Sequence, residues 1–428
     1  MKTFPWQKVI LAILFLLILW FYFTGIPSVP FHPDESTQIF MSSDVSISTD
    51  MLAFVPGNKT GDRWRLRLID SPLSRTMMGW ALKINNMKSN PADWNWSADW
   101  QTNIASGAMP ADNTLYTARW SVAWVFPFTC LFLYLLAKKI NGKSTAVIAV
   151  LLMTTNALVL IHTRRAMSES VLLCTTTALI WLIIDFKNRP WLTAILSGLA
   201  VNAKQTAIPL MALAGVEIFL LPNTVSLSKK VRNILVFFTI ILGISWSLNP
   251  AYWRYPTEAI REGLSQRQEL TTKMRADYHT SKNPLEQMIF LIAQVFIQPP
   301  AAYDVMNYAE DTASAVDAYL SQPYNTLFRG LFGGALFLIL SILGWIILWR
   351  QSRKKSRDRQ LSFLILNLIL LVFILMLMFA SAAPFQRYYI ILVPVLSIYQ
   401  ATAVVFLWNS LSRGIKKWTA SSSSPLES

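Results

Sequence analysis

Long apolar runs alternate along the chain with short charged breaks and two long mixed segments. The runs lie at about 7–26, 118–137, 145–162, 169–186, 190–203, 205–222, 232–249, 330–349, 361–380 and 388–408. Most approach the roughly 20 helical residues that a bilayer core requires, and they lack the spaced stripe of an amphipathic soluble helix. The pattern predicts an all-α polytopic membrane protein of about ten transmembrane helices. The fifth run is short and is expected to tilt or stop partway. The first run begins after Lys2 and Lys8 and could pass for a signal peptide, but no small-x-small cleavage site follows it, so it reads as a retained span.

These runs divide the chain into a first transmembrane helix (1–26), an outer segment (27–117) and transmembrane helices two to seven (118–249). A second outer segment (250–329), the last three transmembrane helices (330–410) and a cytoplasmic tail (411–428) follow. In the first outer segment, residues 63–87 mix apolar and basic positions around a break at Pro72, which suits short helices in the headgroup layer. In the second, a charged helix-like run spans 258–278. After it, 284–298 is apolar but too short to cross straight, and reads as a re-entrant or interfacial helix ending at Pro299-Pro300. The Ser-rich tail after Trp418 reads as disordered.

Charge orients the bundle. With the N-terminus inside, the short inner segments and the two ends hold 19 of the 38 Lys and Arg residues. The short outer turns hold only Arg164, Arg165, Lys204 and Arg387. That asymmetry is the positive-inside signal. Of the 23 acids, only Asp185, Glu217, Asp358 and Glu427 fall on or near the inner side, so 19 acids and 19 bases cancel on the outer side. The net charge of +15 therefore belongs to the cytoplasmic face, where it suits anionic lipid headgroups, and a nucleic-acid partner is not expected. Only 14% of residues are charged, against about a quarter in soluble domains. Both cysteines, Cys130 and Cys174, sit inside apolar runs, so neither a disulfide nor a metal site is expected of them.

Polar chemistry then gathers on the outer side. His32-Pro33-Asp34-Glu35 follows the first span, and Asp34 reads equally as a helix N-terminal cap or as a reactive carboxylate. The turn from His162 to Glu169 places Arg164 and Arg165 against the positive-inside trend and sets Arg165 four residues from Glu169, an ion-pair spacing. Lys204-Gln205 separates two closely spaced apolar runs, where a lysine either snorkels or faces an anion. Gln386-Arg387-Tyr388-Tyr389 opens the last run, and arginine is the residue best shaped to hold a phosphate with two bonds. Trp94 and Trp96, in Asp93-Trp94-Asn95-Trp96, read as interfacial anchors or as a platform for a sugar face. A carboxylate pair beside several cations at the bilayer surface suits chemistry on the phosphorylated head of a membrane lipid.

These residues resemble the GT-C class of polytopic glycosyltransferases that use lipid-phosphate-linked sugars, in particular the branch of protein O-mannosyltransferases and the aminoarabinose transferase of lipid A. Four motifs carry the resemblance: Asp34-Glu35, Arg165 to Glu169, Gly198-Leu199-Ala200 to Lys204-Gln205-Thr206-Ala207, and Arg387 to Pro394. The resemblance implies a GT-C-like bundle and an inverting transfer from a polyprenyl-phosphate sugar to an acceptor hydroxyl on the non-cytoplasmic face. It implies Asp34 as general base, with Glu35 and Glu169 as the other catalytic candidates. Arg387 and Lys204 would bind the donor phosphate, with Arg164 and Arg165 as further candidates, and His32, Tyr388, Trp94 and Trp96 would contact sugar or acceptor. The chain has no Asp-x-Asp, the metal-binding pattern of some relatives, so no cofactor is expected, although a divalent metal stays open. The expected partners are the donor, membrane lipids and an acceptor protein, lipid or glycan, in a bacterial inner membrane with the active site facing outward. The alternatives are a transporter or flippase of lipid-linked sugars and a polymerase or ligase of lipid-linked glycans. Against the transporter stand charge-free span centres, Glu217 being the deepest exception, and the lack of an internal repeat.

Overall fold

The computed structural model describes residues 6–47, 52–57, 63–185, 189–219, 226–278, 283–304, 308–354, 356–380 and 385–422. Lys2, Lys187, Lys355, Glu427 and the end of the Ser-rich tail lie outside them. The described residues are helices and their connections, without strands. In the first third these are α1 (Trp6–Thr24), α2 (Pro33–Met41), α3 (Arg63–Ile69), α4 (Pro72–Ile84), α5 (Trp100–Ala105), α6 (Asp112–Ala123) and α7 (Phe126–Asn141). The middle holds α8 (Lys143–Thr154), α9 (Ala157–Thr163), α10 (Glu169–Asp185), α11 (Pro190–Ala203), α12 (Ile208–Phe219) and α13 (Leu227–Leu248). Then come α14 (Pro256–Asp277), α15 (Pro284–Ile292), α16 (Ala309–Leu320), α17 (Gly330–Arg353), α18 (Arg357–Leu375) and α19 (Val393–Ser422).

Five helical stretches are long and apolar enough to cross a membrane: 112–141, 227–248, 330–353, 357–379 and 386–415. Helices α8 and α9 pass the same test as a pair bent by 59° at the Thr155–Asn156 break, which makes a sixth. The protein is thus an integral membrane protein. Asn156 accepts the N–H of Leu158 and so starts α9 afresh, which is why the third apolar run is broken rather than straight. Helix α10 is central: all its residues but Trp181 and Asp185 are buried. It packs between α7 and α11, α11 packs on α13, and α19 lies against α8 and α17.

Segments 27–117 and 250–329 fold as helices that range from the 6 residues of α5 to the 22 of α14. Pro72 stands at the first position of α4, where its missing N–H costs nothing, and this separates α4 from α3. The apolar piece after Pro284 is α15 followed by one wider turn, Ala293–Ile297, that packs against α17 and the start of the last span. Beyond it, α19 continues to Ser422, four residues into the tail after Trp418 that reads as disordered in the sequence. Each added residue of an established helix gains a bond without a new nucleus, which carries the last turns past the apolar stretch.

Candidate active site

Helix α2 is fixed at its start by a reciprocal cap. The Asp34 N–H donates to His32 Nδ1 at 3.1 Å, and the His32 N–H donates to Glu35 Oε2 at 3.0 Å. His32 and Glu35 therefore do the capping, and the Asp34 carboxylate is left for other partners.

Glu35, expected among the catalytic residues, is sealed away. Its carboxylate takes two 2.8 Å bonds from the Arg119 guanidinium and one of 2.7 Å from the Ala166 N–H. Arg119 also donates to the carbonyls of Ile26 and Val29, at 3.2 and 2.8 Å. With no exposed surface, Glu35 ties α2, α6 and the α9–α10 turn together.

Asp34 has the opposite setting, with 29% of its side chain exposed. It is bonded by Nη1 of Arg387, from the turn of residues 386–392 that opens the last span. Arg387 Nε lies 3.1 Å from Asp304 Oδ2, an ion-pair contact, and His32 Nε2 donates to that same oxygen at 3.1 Å. Asp304 was missed in the sequence. The available signal was an acid just past the Pro299-Pro300 stop of a re-entrant piece. Its placement depends on backbone grips: Gln386 donates to the carbonyls of Gln294 (3.2 Å) and Pro299 (3.1 Å) and accepts from Ala301 N–H (2.5 Å).

A second ion pair sits beside the first. Lys204, at the α11 C-terminus, donates to Glu169 Oε1 at 2.5 Å, so Glu169 does not take the local partner Arg165 that its spacing suggested. Lys204 Nζ lies 4.8 Å from the Tyr388 ring centre and the Arg387 guanidinium carbon 5.6 Å from it, so one aromatic face joins the two pairs. Glu169 Oε2 has no partner among the described residues.

The structure corrects the placement of the other two arginines. Arg164 is buried and donates to the carbonyls of Tyr22 and Phe21, both at 2.9 Å, closing the C-terminal end of α1. Arg165 donates to Pro30 O at 3.3 Å and Ala302 O at 2.5 Å, joining the two outer segments. Both are buried and donate to backbone carbonyls. The Trp pair divides too: Trp94 is buried against Phe31 and Trp100, whereas Trp96 is 40% exposed with its edge toward Tyr308.

Burial by itself would raise the carboxyls of this cluster. For Asp34 and Asp304 the Arg387 charge more than offsets it, with His32 assisting, and both lie below the usual aspartate range. Arg119 does the same for Glu35. His32, Asp34 and Asp304 also offer one metal-ligand atom each, all within 4.8 Å of one another. They do not fit an ion as arranged: a guanidinium contacts both carboxylates, and each His32 ring nitrogen is already in a hydrogen bond.

Comparison with known proteins supports the same class. Residues 106–253, about a third of the chain, match the family model of dolichyl-phosphate-mannose-protein mannosyltransferase. The fold is similar to that of the archaeal oligosaccharyltransferase AglB from Archaeoglobus fulgidus, solved in complex with an inhibitory peptide and a dolichol-phosphate. The TM-score is 0.50 at 12% identity, over 94% of this chain and 51% of that one. An Archaeoglobus fulgidus oligosaccharyltransferase in the apo form gives 0.48 at 12% identity, over 95% and 52%. The chain therefore spans about half the length of these structural neighbours. No curated protein matches it in sequence. The expected resemblance is borne out: the chain has a GT-C-like helical fold, and its middle third carries the sequence pattern of a GT-C glycosyltransferase family.

Proposed function

We propose that the protein is an inverting glycosyltransferase. It moves a sugar from a polyprenyl-phosphate donor to an acceptor hydroxyl on the non-cytoplasmic face of a bacterial inner membrane. The observation that carries this reading is the contrast among four clustered carboxylates. Asp34 is 29% exposed, whereas Asp304, Glu35 and Glu169 are at 6, 0 and 1%. One reachable carboxylate beside Arg387, Lys204 and the Tyr388 face is the equipment for a single displacement at a phosphate-linked sugar.

In that displacement Asp34 takes the proton of the acceptor hydroxyl as its oxygen attacks the anomeric carbon. The bond from that carbon to the phosphate oxygen breaks, and the electron pair leaves with the polyprenyl phosphate. One attack from the opposite face inverts the anomeric centre. General-base assistance contributes about 100- to 10,000-fold. Arg387 and Lys204 stabilise the charge that grows on the departing phosphate. We assign Glu169 Oε2, unpartnered among the described residues, to a hydroxyl of the donor sugar, and Trp96 to the acceptor side.

The test is transfer from radiolabelled polyprenyl-phosphate sugars by the purified full-length chain. Release of polyprenyl phosphate by wild type and its loss in Asp34→Asn is the expected result. Full activity in Asp34→Asn overturns the assignment of the base. Lack of release across a panel of donors, with intact lipid-linked sugar carried across vesicles instead, overturns the enzyme reading.

A further inference from the structure

The base proposed above is paired in an unproductive way. A carboxylate bonded to a guanidinium is a weak proton acceptor, and Arg387 holds the Asp34 carboxyl below its usual range. The arginine proposed to bind phosphate is likewise already engaged, by Asp34 through Nη1 and by Asp304 beside Nε. Guanidinium recognition of phosphate uses parallel N–H groups, so an incoming phosphate and Asp34 compete for Nη1. The two carboxylates differ in freedom. Asp304 is 6% exposed, accepts from His32, and sits on a turn whose backbone is gripped by Gln386 and Arg165. Asp34 is the more exposed of the two.

From this geometry we infer that Arg387 is a donor-operated latch on the base: without donor it holds Asp34, and the donor phosphate takes its Nη1 and releases Asp34 to the acceptor hydroxyl. Asp304 stays beside Nε in both states and keeps the guanidinium in place. The consequence is an order of events. The base becomes competent only once a donor phosphate is seated, so the acceptor is not activated in an empty site. The inference deepens the proposed function and rests on its assignment of Arg387 to phosphate.

The latch makes a prediction opposite to that for an ordinary binding residue: removing the Asp34 charge tightens phosphate binding. The experiment titrates farnesyl phosphate, with farnesol as the phosphate-free control, into the detergent-purified full chain and follows tryptophan fluorescence. Wild type is expected to prefer farnesyl phosphate, and Arg387→Ala to lose that preference. Asp34→Asn is expected to bind it about fivefold tighter, as for release of a partly exposed ion pair. Asp93→Asn removes a nearby carboxylate bonded to the Trp94 N–H, and is expected to change affinity by less than about twofold through screened charge. A gain of affinity cannot come from misfolding, so the Asp34 arm stays informative. If wild type shows no preference over farnesol, the phosphate reading fails and the latch with it. If the preference exists and depends on Arg387 but Asp34→Asn gains nothing, the latch alone is overturned. Equal gains in Asp34→Asn and Asp93→Asn also overturn it, because a general field then accounts for the effect.

Discussion

Asp34 and Glu35 are neighbours in sequence, and neutralising each should damage a different property. Glu35→Gln keeps the shape but removes the charge facing the Arg119 guanidinium, which is left inside the protein with neutral acceptors only, the new amide oxygen and the carbonyls of Ile26 and Val29. Breaking a buried pair by removing one partner costs about 3–5 kcal/mol. Asp34→Asn removes a carboxylate with 29% exposure from an arginine that keeps Asp304, so no buried charge is left unpaired and the cost should be about 0–1 kcal/mol. Its loss should fall instead on the barrier: the 100- to 10,000-fold of a general base is about 3–5 kcal/mol of activation free energy. Similar free energies thus appear in separate observables. A thermal ramp on tryptophan fluorescence should show Glu35→Gln melting several degrees lower and Asp34→Asn melting with wild type. Radiolabel transfer by the folded fraction should show the reverse ranking. A Glu35→Gln protein as stable as wild type, or an Asp34→Asn protein that melts early and transfers at the wild-type rate, would refute the division of roles.

Further expectations follow from the same geometry. Because Asp34 in the free protein lies below the ordinary aspartate value of about 3.9, kcat/KM should stay flat from neutrality down to about pH 4; an acid limb centred above about pH 5 would show another group in control. Glu35 is likewise depressed, so its contribution to stability is complete above its unfolded value of about 4.3 and is lost as pH falls through its folded value; melting temperatures between pH 3 and 6 check the sign. Trp94→Ala should cost about 3–5 kcal/mol as a core truncation, whereas Trp96→Ala should leave melting within about 0.5 kcal/mol of wild type and raise the acceptor KM. Chelation with EDTA should leave transfer unchanged, since Asp304 of the His32–Asp34–Asp304 cluster is held by Arg387 and His32; loss of activity restored by a divalent ion would refute that arrangement.

Much of the architecture could be read in the chain because the bilayer imposes a local rule. A helix that satisfies its own backbone and shows an apolar surface needs nothing distant to declare itself, so the apolar runs fall in helices and Pro72 and Pro284 mark helix starts. The four motifs around Asp34, Glu169, Lys204 and Arg387 were also visible, as polar residues abutting apolar runs. Their pairings were not. Local spacing offered Arg165 to Glu169, but the fold gives Glu169 to Lys204, 35 residues away, and spends Arg165 on backbone carbonyls. Locally only the helix cap separates Asp34 from Glu35, because Glu35 reaches back to the His32 N–H. Only the approach of Arg119, 84 residues later, buries one, and only that of Arg387, 353 residues later, engages the other. Asp304 reaches His32 across 272 residues because the segment after α15 returns the chain to the site. Local pattern placed the apolar runs and the residue types that flank them. The tertiary structure decided which carboxylate meets which cation and which stays reachable, because charge pairing and burial depend on distances in space that no spacing along the chain encodes.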